Sequence, residues 1–306
     1  MSIEAQCVIA VASGKGGTGK TTIAANLAAI LSLSDSVCLA DLDVEAPDSL
    51  GYFQHAVPIG QPENVEVLVP FATSPHCEDC SSCAKLCRFG AIVAIGGVVT
   101  IDTKLCKGCG LCIMACPQGN LEEKPLKIGE ARTFTEGCIT IVEGRMNVGD
   151  IRSTSVIESA KTKASVQKTR YQIRDCPPGV SCPATHALAG SDYAILVAEP
   201  TSFSLHDLDG AIRLCKSLSL PCGVIINKDG FGNADIETLC KNLNVPVLTR
   251  LSYGQDRAVQ GARGALWAQD DETSKNLKAV LLNIKNKLQQ KNDSKKTSSE
   301  KLEAIL

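Results

Sequence analysis

Short, uniformly apolar runs alternate along this chain with stretches whose apolar residues recur every three to four positions. Cys7-Val8-Ile9-Ala10-Val11-Ala12 is one such run and ends at a glycine cluster. From Thr21 to Leu33 the residues Ile23, Leu27, Ile30 and Leu31 keep helical spacing, and Val37 to Leu42 is a second apolar run. The same alternation predicts a helix over 151–167, a strand before Asp175, strands at Tyr193–Ala198 and Gly223–Ile226, and a closing helix from Thr273 to Leu288. Strands that are apolar on both faces and separated by helices imply a mostly parallel sheet covered on both sides. Gln172 and Arg174 depart from this, being more polar than a buried strand prefers. Between Pro75 and Pro117 the alternation stops and cysteines crowd the chain, then it resumes. The expected organisation is one discontinuous α/β domain over 1–71 and 138–288, an inserted module over 72–137, and a polar, mobile tail over 289–306.

Composition narrows the function classes. The chain has 306 residues, a net charge of −2, 44% hydrophobic and 21% charged residues, which describe a soluble globular protein with no basic field for nucleic acid. It has no apolar run of membrane-spanning length, and its first residues lack the order of a signal peptide, so a cytoplasmic location is expected. The 16 cysteines then stand out, because in a reducing compartment a surplus argues for metal ligation or redox chemistry before disulfides.

Gly14-Lys15-Gly16-Gly17-Thr18-Gly19-Lys20-Thr21-Thr22 follows a strand and opens a helix, the context in which G-x-x-x-x-G-K-[ST] cradles phosphates. Its glycines let backbone N–H groups converge on phosphate oxygens at a helix N-terminus; Lys20 would reach the β- and γ-phosphates and Thr21 a Mg²⁺ ion. Asp41 and Asp43 end the second strand, where in-line phosphoryl transfer needs carboxylates to hold water and metal. Asn227-Lys228-Asp229-Gly230 approaches the guanine-reading N-K-x-D but has glycine in place of the carboxylate, which favours ATP over GTP.

Cys77, Cys80, Cys83 and Cys87, then Cys106, Cys109, Cys112 and Cys116 with Pro117, repeat the bacterial ferredoxin spacing. That motif assigns Cys77, Cys80, Cys83 and Cys116 to one 4Fe-4S cluster, and Cys106, Cys109, Cys112 and Cys87 to a second. Two zinc sites are the competing reading, although zinc cages usually come as separated C-x2-C pairs. Gly108 and Gly110 would let backbone N–H groups approach cluster sulfides. Arg88 stands where the first motif's proline belongs, and a positive charge beside a cluster should raise its potential, so the two clusters need not share one potential. Cys176 and Cys182 leave open a third, dimer-bridging cluster.

Taken in order, the loop with its two lysines, Asp41-Leu42-Asp43, the ferredoxin pair, Asp175-Cys176-Pro177-Pro178-Gly179, Glu199-Pro200-Thr201 and Ile226-Asn227-Lys228 resemble the MinD/ParA superfamily of P-loop ATPases, in the branch with an inserted two-cluster ferredoxin domain. The resemblance implies a deviant P-loop fold of the MinD and nitrogenase iron-protein type, with an α+β ferredoxin-like insertion. It implies that Lys15 crosses to the phosphate of a partner subunit in an ATP-sandwich homodimer or heterodimer. It also implies that Asp43 orients the attacking water with support from Asp41, and that Asp175 reaches Mg²⁺, directly or through water as Asp43 also could. Gly179 would then lie near the γ-phosphate, and Asn227 would contact adenine.

The expected function is an ATPase switch that couples nucleotide state to electron transfer toward a metalloprotein or metallocofactor-carrier partner. The alternatives are an iron-sulfur assembly or carrier ATPase and a MinD-like spatial regulator with redox-sensing clusters. MinD's own membrane helix has no counterpart here, because the stretch from Lys285 to Lys296 has too few apolar residues for a stable membrane anchor.

Overall fold

The first apolar run is strand β1 (Cys7–Ala12), and the glycine loop after it leads into α1 (Lys20–Leu31) and β2 (Val37–Asp41). The structure, a computed structural model, describes residues 6–74, 77, 81–267 and 271–303, with side chains as far as residue 290. A short β3 (Val57–Pro58) precedes the long β4 (Glu63–Ala72); α2 (Ser82–Leu86), β5 (Ile92–Ile95), β6 (Val98–Ile101) and α3 (Leu111–Met114) carry the cysteine segment. The chain returns through β7 (Leu121–Glu136) and β8 (Ile139–Met146) to α4 (Ser153–Ser165), β9 (Tyr171–Asp175), α5 (Cys182–Leu188) and β10 (Tyr193–Ala198). It ends with α6 (Ser202–Ser217), β11 (Cys222–Asp229), α7 (Ile236–Asn242), β12 (Val247–Ser252), α8 (Gln255–Ala262) and α9 (Glu272–Glu303).

Ten of these strands form one sheet, nine of them in the order β12-β11-β10-β1-β9-β2-β8-β7-β3, with β4 paired to β7 off this path. The ladders from β12 to β8 are parallel, and β7 closes that edge antiparallel to β8. The architecture is thus the mostly parallel α/β P-loop fold the pattern implies. One face buries Ala10, Cys38, Val142, Leu196 and Val224 under α4, α5, α6 and α7. The other buries Ile9, Leu39, Ile173 and Ile195 under Ile23 and Leu27 of α1 and Leu277 and Ile284 of α9. Covered on both sides, the strands need apolar residues at every position, which is why they read as runs rather than alternations.

Strand β9 is buried along its whole length despite Gln172 and Arg174. Arg174 Nε donates to Gln172 Oε1 at 2.8 Å, and its Nη1 donates to the carbonyls of Ala187 and Ala189 and to Ser191 Oγ at 3.3, 2.9 and 3.2 Å. The guanidinium is therefore satisfied by Gln172, the end of α5 and the residues just after it, and its polarity does not exclude it from the interior.

The cysteine segment sits at the end of an antiparallel ribbon. Strand β4 pairs with β7 from Glu63 opposite Ala131 to Ala72 opposite Leu121, while Gly129 to Glu136 of the same β7 pair with β8. The segment is not free of regular structure: β5 and β6 form a hairpin, and the short α2 and α3 each carry ligand-type cysteines. The closing helix also runs further than the expected stop at Leu288, through Glu303. Residues 289–303 contain no glycine or proline to end it, so the helix propagates beyond its apolar face. No helix among the described residues is long and apolar enough to cross a membrane.

Candidate functional site

The phosphate loop is shaped by close approach and by left-handed backbone. A Cβ on Gly14 would lie 2.2 Å from the Asp207 carbonyl oxygen of α6, so only glycine fits there. Gly17 and Gly19 have φ of 77° and 92°. Gly19 caps α1 without a side-chain bond, leaving first-turn N–H groups facing the loop as anion donors. Lys20 opens the helix and is buried, Thr18 Oγ1 is buried without a hydrogen-bond partner among the described residues, and Gly16 is exposed. Thr22 Oγ1 shares a 2.6 Å hydrogen bond with the Tyr52 hydroxyl. Sequence reasoning missed Tyr52, since nothing in its own neighbourhood marks it.

Next to the loop, the ends of β2 and β9 bring Asp41 and Asp175 together, both 1% exposed. Asp41 accepts from the backbone N–H groups of Asp43 at 3.2 Å and Ser49 at 2.8 Å. Ser49 Oγ in turn donates to Asp175 Oδ2 at 3.2 Å, whereas Asp175 Oδ1 is buried with no hydrogen-bond partner among the described residues. Burial pushes the Asp175 carboxyl up to about 6, against the opposing pull of the Thr21 hydroxyl and the Lys20 ammonium. Burial and the neighbouring Asp175 charge raise Asp41 well above the carboxylate range. Asp43 is less buried and also raised, chiefly by burial and against the Lys20 charge. An orphaned carboxylate oxygen beside Thr21 suits a divalent cation. Asp41, its register partner on the neighbouring strand, holds the turn that carries Asp43 and Ser49.

Lys15 is engaged within its own chain. Its ammonium pairs with Glu199, whose other oxygen takes Lys228 Nζ at 3.0 Å. Lys228, at φ 55°, also donates to the Gly17 carbonyl at 2.7 Å, and Asn227 Nδ2 donates to the Thr18 carbonyl at 2.8 Å. The Gly179 N–H donates to the Ser13 carbonyl at 2.9 Å, which ties the segment after Asp175 to the loop. Thus Lys15, Lys20, Thr21, Asp43, Asp175, Gly179 and Asn227 all gather around one loop. Glu199 and Lys228 belong to motifs visible in the sequence, but their role as partners of Lys15 is not.

The cysteines divide between two cavities. One, of about 230 Å³, is lined by Cys87, Cys106, Cys109 and Cys112 together with Leu86 and Phe89. The other is lined by Cys77, Cys83 and Cys116; Cys80 lies outside the described residues. The Gly108 N–H donates to Cys106 Sγ at 3.3 Å, and Gly108 and Gly110 have φ of 69° and 70°. Among the described residues no three His, Cys, Asp or Glu side chains converge as closely as a single metal ion requires. Cys176 is buried, its thiol pushed up to about 12 by burial, while Cys182 is exposed at the start of α5.

A family model described as the CobQ/CobB/MinD/ParA nucleotide binding domain matches residues 9–266. An uncharacterized protein of Methanocaldococcus jannaschii is 31% identical over 229 residues, covering 74% of this chain and 79% of that protein. The septum site-determining protein MinD of Pyrococcus horikoshii, solved with Mg-ADP, superposes with a TM-score of 0.55 at 18% identity, covering 90% of this chain and 94% of that one, a likeness of fold. A shorter match, 37% identical over 60 residues, links 19% of this chain to 61% of the pyruvate synthase subunit PorD of Thermotoga maritima.

Proposed function

Because the chain belongs to the CobQ/CobB/MinD/ParA nucleotide-binding family, we propose that it is an ATP-hydrolysing dimeric switch that holds two 4Fe-4S clusters and couples its nucleotide state to electron transfer toward a metalloprotein or metallocofactor-assembly partner. The observation that carries the redox half is the cavity lined by Cys87, Cys106, Cys109 and Cys112. It gathers the crossed set that the ferredoxin spacing assigns to one cluster, one cysteine from the first motif and three from the second. Four thiols spread around a space of that size suit a cluster better than one zinc ion, which needs its sulfurs about 2.3 Å from a single point. Cys77, Cys83 and Cys116 around the other cavity, with Cys80 as the fourth ligand, suit the first cluster. Such clusters supply reversible one-electron storage. The partial likeness to a pyruvate synthase subunit is in keeping with a redox role.

In the nucleotide half, the backbone N–H groups of Gly14 to Thr22 and the Lys20 ammonium would hold the phosphates. Thr21 and the free Oδ1 of Asp175 fit Mg²⁺, and Asp43, turned toward Lys20, would orient the attacking water. Lys15 would serve the partner's phosphate once released from Glu199, so each protomer would complete the other's site.

Anaerobic purification with iron and acid-labile sulfide quantified, and EPR recorded with and without MgATP, tests the proposal. About eight irons per chain are expected from two cubanes. One zinc per motif, or no iron, would overturn the redox half. Lys20→Ala should abolish hydrolysis and leave the iron in place; loss of iron would mean that the two halves are not separable modules.

A further inference from the structure

The loop that bears the second cysteine set is held partly from outside its own module. Arg152, just before α4, is 5% exposed, and its guanidinium is forked onto Asp150, with Nε 2.7 Å from Oδ1. Its remaining Nη1 donates to the carbonyls of Thr103 and Cys106, each at 3.4 Å. Lys107 Nζ donates in the opposite direction, to the Ile151 carbonyl at 2.9 Å. The residues entering α4 and the turn from Thr103 to Lys107 are therefore laced together. Since Asp150 neutralises the guanidinium, Arg152 acts on this turn by position rather than by adding net charge beside the sulfurs.

Along its length α4 touches the nucleotide side. Glu158 Oε1 and His186 Nδ1 of α5 are 2.8 Å apart, and Lys161 Nζ donates to the His186 carbonyl at 2.6 Å and to Glu158 at 3.1 Å. Helix α5 begins three residues after Gly179, which hangs on the phosphate loop through Ser13. Along this helix Val156, Ile157, Ala160 and Ala164 are fully buried. A helix packed this tightly moves as a unit rather than bending.

We propose that Arg152 is a positioning residue for the loop of Cys106, Cys109 and Cys112, and that α4 carries movement of the 176–181 segment to that loop as the bound nucleotide changes. This rests on the reading of Gly179 as a γ-phosphate contact and of the cysteines as cluster ligands. The helix gives both ends one rigid body, so a displacement at His186 reappears at the Cys106 carbonyl without any change in ligand identity.

Hydrogen exchange on the anaerobically purified full-length protein, saturated with MgADP or with the non-hydrolysable analogue AMPPNP and Mg²⁺, tests this. In the wild type, exchange of amides 103–109 should differ between the two nucleotides by a factor of about 5 or more, the lower range of allosteric coupling. Arg152→Met, and the double variant Lys161→Met with His186→Ala, which cut opposite ends of the strut, should each remove that difference while nucleotide affinity is kept. If Arg152→Met fails to fold, Lys107→Ala removes the other bond across the same junction and should weaken that difference. A difference that persists in the variants, or none in a wild type that binds both nucleotides, overturns the proposal. Iron content of the same samples tests the cluster reading separately.

Discussion

Lys15 and Glu199 form an ion pair across the mouth of the phosphate loop, with Lys228 as a second cation on the same carboxylate and the Gly17 carbonyl as its backbone anchor. The loop's first lysine is thus neutralised in cis before any partner supplies a phosphate. Glu199→Gln should destabilise the nucleotide-free protein by about 1–2 kcal/mol, the range of a charge-assisted bond discounted for the partial exposure of both lysines. It should also lower the protein concentration at which AMPPNP drives dimerisation. Thermal melts and sedimentation velocity measure the two effects; unchanged dimerisation would show that Lys15 is not restrained by this pair.

The same carboxylate sets a pH dependence. Burial pushes Glu199 up, but the bonds from Lys15 and Lys228 outweigh it and hold the carboxyl below its ordinary range. A depressed acid contributes stability above its unfolded value and loses it as pH falls through the lower folded value. The stability gap between wild type and Glu199→Gln should therefore stay constant across neutral and alkaline pH. It should close only below the ordinary carboxylate range, as followed by denaturant titration at a series of pH values.

Asp175 and Asp41 are two buried carboxylates that oppose each other, and the Lys20 ammonium offsets only part of the cost at Asp175. Asp175→Asn should raise the stability of the nucleotide-free protein by on the order of 2 kcal/mol, because it removes a buried charge. It should also abolish the extra stabilisation that Mg²⁺ gives with ADP. Melting curves with ADP alone and with MgADP separate the two; retained Mg²⁺ dependence would remove Asp175 from the metal site.

Arg174 sits where a core strand would ordinarily carry an apolar residue. Arg174→Met keeps much of the volume but strips the donors from Gln172, Ala187, Ala189 and Ser191, and should cost about 2–5 kcal/mol. For a chain of this size each kcal/mol lowers Tm by roughly 2–4 °C. A variant that melts with the wild type would mean that water satisfies those acceptors instead.

The crossed ligation we propose would make Cys87 and Cys109 members of one cluster although they lie in different motifs. Cys87→Ala and Cys109→Ala should each leave about four irons per chain with the same surviving EPR signal, whereas Cys83→Ala should leave the other signal. Matching spectra for Cys83→Ala and Cys87→Ala would instead mean that each motif serves its own cluster.

Much of this was legible in the chain because local chemistry fixes it. The phosphate loop needs glycines at 14, 17 and 19 for close approach and left-handed backbone, and the parallel strands are apolar on both faces because helices cover both. What stayed hidden depends on partners distant in sequence. Glu199 meets Lys15 at the ends of the neighbouring strands β10 and β1, Ser49 bridges to Asp175, and Arg174 of β9 finds acceptors at the end of α5 and just after it. A periodicity argument sees Arg174 only as a mismatch, since the carbonyls that accept from it carry no sequence signature. The extension of α9 was hidden for a different reason: apolar spacing marks where a helix is packed, not where it stops.

The ribbon of β4 and β7 has a consequence for how such a chain could be assembled or taken apart. Ala72 and Leu121, the points where the chain leaves and re-enters the ribbon, face each other as ladder partners. A tight turn could join them in place of everything between, and the register of the neighbouring strands would be unaffected. The cysteine segment thus occupies the position of an elaborated hairpin tip, a place where a chain can gain or exchange a module by a single local splice.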